Sequence, residues 1–215
     1  MIKRITRSLR ELALQMIYRM RHSRNNRIGN GVRFNKDTDI GKNCVISEGV
    51  CFGKHVKLGD NVKVGKRAFL ARITIDDNSV IEGKVIITGT GKGLINIGRN
   101  SFIGHNTVLD HSDNITIGNY VHVGYNQFWT HSSARQCFAG VPLENKDEVF
   151  RPTAPILIED NVYVGVQSIV YPGITNGHHS VIMPNTVVNK NVKPHSLIGG
   201  IPGKKIKQID KIGDL

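Results

Sequence analysis

Ile40-Gly41-Lys42-Asn43-Cys44-Val45-Ile46 is followed, six residues on, by Phe52, then by Leu58-Gly59-Asp60-Asn61-Val62-Lys63, Val64 and Leu70. An aliphatic or aromatic residue returns at every sixth place, and Gly, Asp or Asn often follows it. The frame runs on through Ile75, Ile81 and Ile87; Ile97, Ile103 and Leu109; Ile117, Val123 and Trp129; Ile158, Val164 and Val170; and Ile182 and Val188. A fixed period of this kind marks a repeat architecture, because each unit buries its apolar edge only against its neighbours.

Three short strands of about six residues, joined by tight corners, make one triangular coil. Side chains alternate in and out along a strand, so one position in six points to the axis and must be apolar. Gly, Asn and Asp suit the corners, which need positive φ or local side-chain hydrogen bonds. The pattern predicts a mainly-β parallel solenoid. A sandwich or barrel would show period-two strands with turns every 8–12 residues instead.

The chain of 215 residues carries a formal charge of +12. Residues 1–27 hold eight Lys/Arg against one acid, Glu11, so the basicity is mainly terminal. No helix-turn-helix, zinc-finger or aromatic RNA-binding signature accompanies it, so nucleic acid is not an expected partner. Three cysteines, Cys44, Cys51 and Cys137, with no CxxC, suggest a reducing compartment. No run of 18 apolar residues and no secretory signal pattern is read. A cytoplasmic protein is expected.

Residues 2–21 read as an amphipathic helix with Ile2, Ile5, Leu9, Leu12, Met16 and Met20 on one stripe. Lys3, Arg4, Arg7, Arg10, Arg19 and Arg21 fill much of the rest. Such a helix either lies on an anionic membrane surface or packs against its own solenoid or a neighbouring subunit. The expected organisation is a basic helix over 1–27, a β-helix over 28–203 with a projecting loop at 132–155, and a basic tail over 204–215 with a short helix.

Irregularities in the repeat mark the candidate chemistry. Gly89-Thr90-Gly91-Lys92-Gly93 is an excursion that lacks phosphate-loop spacing and reads as a corner loop. Aligning Ile97 with Ile117 places Leu109-Asp110-His111 on Trp129-Thr130-His131, so His111 and His131 are expected as neighbours on successive coils. The register then breaks over Ser132–Pro155, a segment with Arg135, Glu144, Asp147, Glu148 and Arg151. A long loop on a rigid scaffold is usually functional or disordered. His22, His55, His178, His179 and His195 have no partner in register and read as surface corner residues. Trp129 shares the inward register and reads first as core, second as a sugar-stacking surface.

The last coils run Ile156-Leu-Ile-Glu-Asp-Asn-Val-Tyr-Val-Gly-Val-Gln-Ser-Ile-Val-Tyr-Pro-Gly and Asn185-Thr-Val-Val, and end Gly200-Ile-Pro-Gly-Lys-Lys. Over about 30–207 the chain resembles the hexapeptide-repeat, left-handed β-helix O-acetyltransferases of the galactoside, maltose and surface-polysaccharide kinds. The left hand comes from that resemblance, since the usual crossover rule favours the right. The resemblance implies acetyl-coenzyme A as acyl donor, no metal, a sugar acceptor and a homotrimer. It places the catalytic histidine at His131, with His111, Asp110 and Trp129 toward the acceptor. Met183, Lys190, Gly200, Lys204 and Lys205 are expected along the coenzyme, with Lys207 and the amides near Gly199 in support. Two departures stand out: Asn176 at an inward aliphatic place, and Met183-Pro184-Asn185 where the family has small residues. Other readings of the same repeat are a zinc enzyme resembling γ-class carbonic anhydrases, with ligands drawn from His105, His111, His122 and His131, and a non-catalytic scaffold.

Overall fold

A computed structural model describes residues 2–214 apart from 24, 92, 143 and 146, with side chains from residue 12 onward. The chain winds into a triangular parallel β-solenoid with three faces. The first face has seven strands, from Thr38–Ile40 to Thr175–Asn176. The second has ten, from Arg27–Ile28 to Lys204–Gln208, of which only the last is antiparallel. The third has seven, from Cys51–Phe52 to Val187–Val188. Strands of two or three residues are stable here because each is hydrogen-bonded to the coils on either side.

The six-residue frame is the core. Ile40, Leu58, Ile75, Ile97, Ile117 and Ile158 form one continuous register column on the first face, all buried. Above Ile158 the column passes through Asn176, fully buried, with neither side-chain polar atom hydrogen-bonded, and on to Val192. Trp129 does not belong to the column on the third face. Leu109 pairs with Phe128, which is wholly buried, so Trp129 lies one place outward and is half-buried. The slip arises at the corner before it. The coil passes from Val123 to Phe128 in five residues, and among the described residues no positive-φ residue stands in that corner.

The corner between the first and second faces is the most regular. Asn43, Asn61, Asn78, Asn100 and Asn161 occupy it on most coils with φ near +60°, and Tyr120, His179 and His195 on the others. Asn tolerates the left-handed region better than most side chains do. The corner between the third and first faces is the least regular. It carries the glycine-rich excursion and the long loop.

The N-terminal helix, Ile2–Ser23, closes the open end of the solenoid. Gln15 presents its amide to Phe34 as another strand would: its Nε2 donates to the Phe34 carbonyl at 2.9 Å and its Oε1 accepts from the Phe34 N–H at 2.8 Å. Arg19 donates to the carbonyls of Ile28 and Gly29. His22 is buried and stacks on Phe34, so it is a packed residue rather than a surface one. Gln15, Tyr18, Arg19 and His22 thus form the packing face. Leu12, Met16, Ile17 and Met20 point away and are 57%, 66%, 59% and 74% exposed. The side chains of Ile2, Ile5 and Leu9, with Lys3, Arg4, Arg7 and Arg10, lie outside the described residues. No helix is long and apolar enough to cross a membrane among the described residues.

The C-terminal segment is not a free tail. Lys204–Gln208 folds back antiparallel on Ser196–Gly199, and the short helix is a three-residue 3-10 turn, Ile212–Asp214.

Candidate active site

Asp110 ends a strand of the third face, and Thr130-His131 leave the next coil up at the same edge. The Asp110 carboxylate is fully buried. Its Oδ2 accepts from the Thr130 N–H at 2.9 Å and from His131 Nδ1 at 2.6 Å. Its Oδ1 accepts from the Ser112 hydroxyl at 2.8 Å and the Ser112 N–H at 3.2 Å. Burial alone would push the Asp110 carboxyl up. The hydrogen bonds from His131, Ser112 and Thr130, with the His131 charge, more than reverse this and hold it below its ordinary value.

On the other side of the ring, Arg151 Nη2 lies 3.0 Å from His131 Nε2. A guanidinium can only donate. Nε2 therefore carries the lone pair, and Nδ1–H donates to Asp110. The carboxylate fixes the tautomer and leaves a basic nitrogen facing the loop. The ring is only 16% exposed, and the Trp129 indole meets it edge-on at 6.1 Å.

The loop that carries Arg151 is tied at its base. His131 bridges Thr153, Ser132 N–H donates to the Pro152 carbonyl, and Ala154 N–H donates to the Thr130 carbonyl. Beyond this neck, a short helix, Ala134–Phe138, is held by buried Gln136, which donates to the carbonyls of Pro142 and Asn145. An apolar hollow lies among Ala134, Phe138, Ala139, Val149 and Phe150.

The glycine-rich excursion also belongs to this site. Gly89 has φ +104°, and a Cβ there would run into Asp110 Oδ1. A Cβ at Gly91 would run into the Ser112 backbone. These glycines let one coil lie close beneath the carboxylate that orients His131.

Of the residues expected here, Asp110 and His131 are brought together. His111 and His131, expected as neighbours on successive coils, are not in register. The one-residue slip at Phe128 places Thr130, not His131, beside His111, whose Nδ1 is buried without a hydrogen bond. Asp110 is sealed from solvent, so it positions His131 and does not line an acceptor pocket. Ser112 went unnoticed in the sequence.

The residues expected along the coenzyme divide into two groups. Gly200 and Gly203 hydrogen-bond to Val187, and Met183 packs against Gly199, so Met183, Gly200 and Lys204 surround the C-terminal hairpin. Lys205 donates to Gln208 at 2.6 Å. Lys190 follows the strand Val187–Val188 and stands at the same edge as His131, two coils on. At strand spacing that is about 10 Å along the axis.

The histidines proposed as a zinc set do not converge within one chain. His122 stacks between Phe102 and Tyr163 on the outside of the second face. His105 lies 3.2 Å from Glu82 at the corner between the second and third faces.

The fold is a parallel β-solenoid built on a six-residue repeat. The family model for the hexapeptide repeat of succinyl-transferase matches residues 55–89 and 155–190. The chain is similar to a Schizosaccharomyces pombe protein named as an acetyltransferase, 36% identical over 118 residues and 54% of each chain. It is also similar to the galactoside O-acetyltransferase of Escherichia coli, 28% identical over 141 residues and 64% of each chain. The matches thus span about half to two thirds of these relatives' lengths. Among solved structures, the same fold is seen in a mutant of AntD, an N-acyltransferase from Bacillus cereus, in complex with dTDP and coenzyme A. That match has a TM-score of 0.61 and 20% identity, over 80% of this chain and 84% of that one. The polySia specific acetyltransferase NeuO shares the fold at TM-score 0.52 and 22% identity, over 89% and 92% of the two chains.

Proposed function

We propose that this protein transfers an acetyl group from acetyl-coenzyme A to a hydroxyl of a sugar, with His131 as general base. The observation that carries this reading is the buried Asp110–His131 pair, with Nε2 directed toward the loop. The similarity to named acetyltransferases supports the class. His131 Nε2 takes the acceptor's hydroxyl proton as the oxygen attacks the thioester carbonyl. The tetrahedral adduct then collapses and expels the thiolate, which takes the proton back from the imidazolium. Asp110 holds the ring and stabilises its charged form. Arg151 occupies Nε2 in the free protein, and the acceptor hydroxyl takes its place.

The donor lies along the edge between the third and first faces, from Lys190 down to His131, with its phosphate end carried over the top coil toward the C-terminal hairpin of the second face. Lys204 and Lys205 offer point charges to its phosphates. The acceptor belongs to a surface polysaccharide or its lipid-linked precursor, and the protein acts as a homotrimer in the cytoplasm. The exposed stripe of Leu12, Met16, Ile17 and Met20 lies on the inner membrane face. Light scattering tests the trimer, and a monomer at micromolar concentration sinks it. Met16→Ser/Met20→Ser is expected to end co-sedimentation with anionic vesicles at low salt. Full-length protein that ignores such vesicles ends the membrane reading.

The central test is thiol release from acetyl-coenzyme A with sugar acceptors. His131→Ala and His131→Asn are each expected to lower kcat by about 10²–10⁴ while the donor still binds. Full turnover in both variants places the chemistry elsewhere.

A further inference from the structure

We infer that His178, His179 and His195 form a binding site for a late first-row divalent metal ion, Zn²⁺ by preference, at the corner between the first and second faces. This edge is not the one that carries His131.

The first observation is convergence. One ligand atom from each of the three side chains falls within 4.8 Å of the other two. Zn–N bonds of about 2.0–2.1 Å put tetrahedral nitrogens about 3.4 Å apart, so rotamer adjustment alone closes the site. His178 Nδ1 and His179 Nδ1 already lie 3.0 Å apart. Two imidazole nitrogens at that distance share either a proton or a cation.

The second observation is orientation. His195 Nδ1 lies 3.2 Å from the Ile209 carbonyl. A carbonyl only accepts, so Nδ1 carries the proton and Nε2 keeps its lone pair. A backbone carbonyl on the far ring nitrogen is the arrangement that fixes the tautomer of a metal-bound histidine.

The third observation is the choice of residue. This corner is held at positive φ by Asn43, Asn61, Asn78, Asn100 and Asn161, and on one coil by Tyr120. On the last two coils His179 and His195 stand there, each at φ +56°, with rings stacked 5.0 Å apart and nearly parallel. Asparagine satisfies the backbone of this corner, so the imidazoles are not needed for the turn. The sequence reading, which left these histidines without a partner in register, is corrected here: His195 N–H donates to the His178 carbonyl on the adjacent coil.

The surroundings suit a dication. Glu159 accepts from the His178 N–H. Asp210 lines the hollow beside His179 and His195, as does Lys211. Three neutral imidazoles match zinc, nickel or copper rather than magnesium or calcium, which take oxygen ligands. The fourth position opens on the hollow, available to water or to Asp210. A bound ion staples the last two coils to the segment around Ile209.

The test uses the full-length protein stripped with a chelator. Zn²⁺ is titrated calorimetrically, and Co²⁺ is followed by its visible absorption. One ion per chain is expected, with a tetrahedral cobalt spectrum. At a hundredfold excess over Kd the melting temperature is expected to rise by about 5–10 °C. His179→Asn and His195→Asn restore the residue common at this corner, so the fold is kept; circular dichroism confirms it. Each is expected to weaken binding at least tenfold, and the double variant to abolish it. Acetyl transfer is read in parallel and is expected to be unchanged, which separates this site from the reading of His131. Equal Zn²⁺ affinity in the double variant assigns the ion to other histidines and overturns the proposal. So does the absence of any Zn²⁺-dependent heat, spectrum or melting shift in the unaltered chain.

Discussion

Two edges of the same prism are built on opposite rules. Where the first face turns into the second, every coil turns through one residue at positive φ, an asparagine on most coils. Where the third face turns into the first, successive coils differ: a glycine excursion at 89–93, the buried carboxylate of Asp110, then the loop to Pro155. The regular edge holds the coils in step. The irregular edge is where a side chain can be aimed, because insertions there leave the six-residue core frame untouched. A solenoid can vary one edge freely so long as the others keep count.

Breaking the irregular edge should cost activity far more than stability. Asp110→Asn keeps the shape and removes the charge that fixes the His131 tautomer. We expect kcat to fall by about 10²–10⁴, comparable to losing the base itself. Near-normal turnover in this variant would detach Asp110 from the mechanism. Gly89→Ala pushes on the same carboxylate without altering any polar group. A displacement of about 1 Å at a reacting group can cost about 10²-fold. We expect that loss in kcat with donor KM unchanged; an equal rise in KM would show that the excursion serves binding instead.

Changes in the repeat itself should behave the other way. Asn176→Leu replaces a buried amide that has no hydrogen bond with an apolar side chain. It is expected to raise the unfolding free energy by about 1–3 kcal/mol in denaturant titration and leave turnover alone. A loss of stability would mean that the amide has a structural task. Asn61→Ala puts a Cβ-bearing residue without a polar side chain at φ +58° and removes a hydrogen bond to Asn78. It is expected to cost about 1–2 kcal/mol, read the same way.

Acid should act on the irregular edge. The folded carboxyl of Asp110 is held below its ordinary value of 3.8. Its contribution to stability is therefore full above that value and is lost as pH falls through the depressed one. Unaltered protein should lose stability more steeply than Asp110→Asn below about pH 3.8. Parallel curves would show that the pair adds nothing to acid stability.

Much of this contrast was legible in the sequence. The inward column was readable because burial on an axis tolerates only apolar side chains, and Ile46, Leu70 or Val164 fall where counting by six puts them. The helix was readable from its spacing, but not its orientation. Amphipathic patterning assigns the apolar stripe to the core, whereas this helix docks by Gln15, Tyr18, Arg19 and His22, because the end of a solenoid presents backbone groups rather than an oily surface. His131 and Asp110 could be singled out from the repeat, and the structure brings them together one residue off the expected register. The coil stride shortens between Val123 and Phe128, and no residue type announces a five-residue step. Ser112 and Arg151 act through contacts across coils and across a loop, which linear spacing does not encode.

The amide of Gln15 has a consequence for assembly. A solenoid is one stack of coils, and nothing in its cross-section limits its length. Two such ends meeting could continue one another indefinitely, as cross-β filaments do. By standing in for the next coil against Phe34, a single side chain sets where growth stops. Removing residues 1–27 would therefore take this cap away. It would leave a bare coil end able to pair with that of one other copy, while the C-terminal hairpin still covers the opposite end and stops growth there.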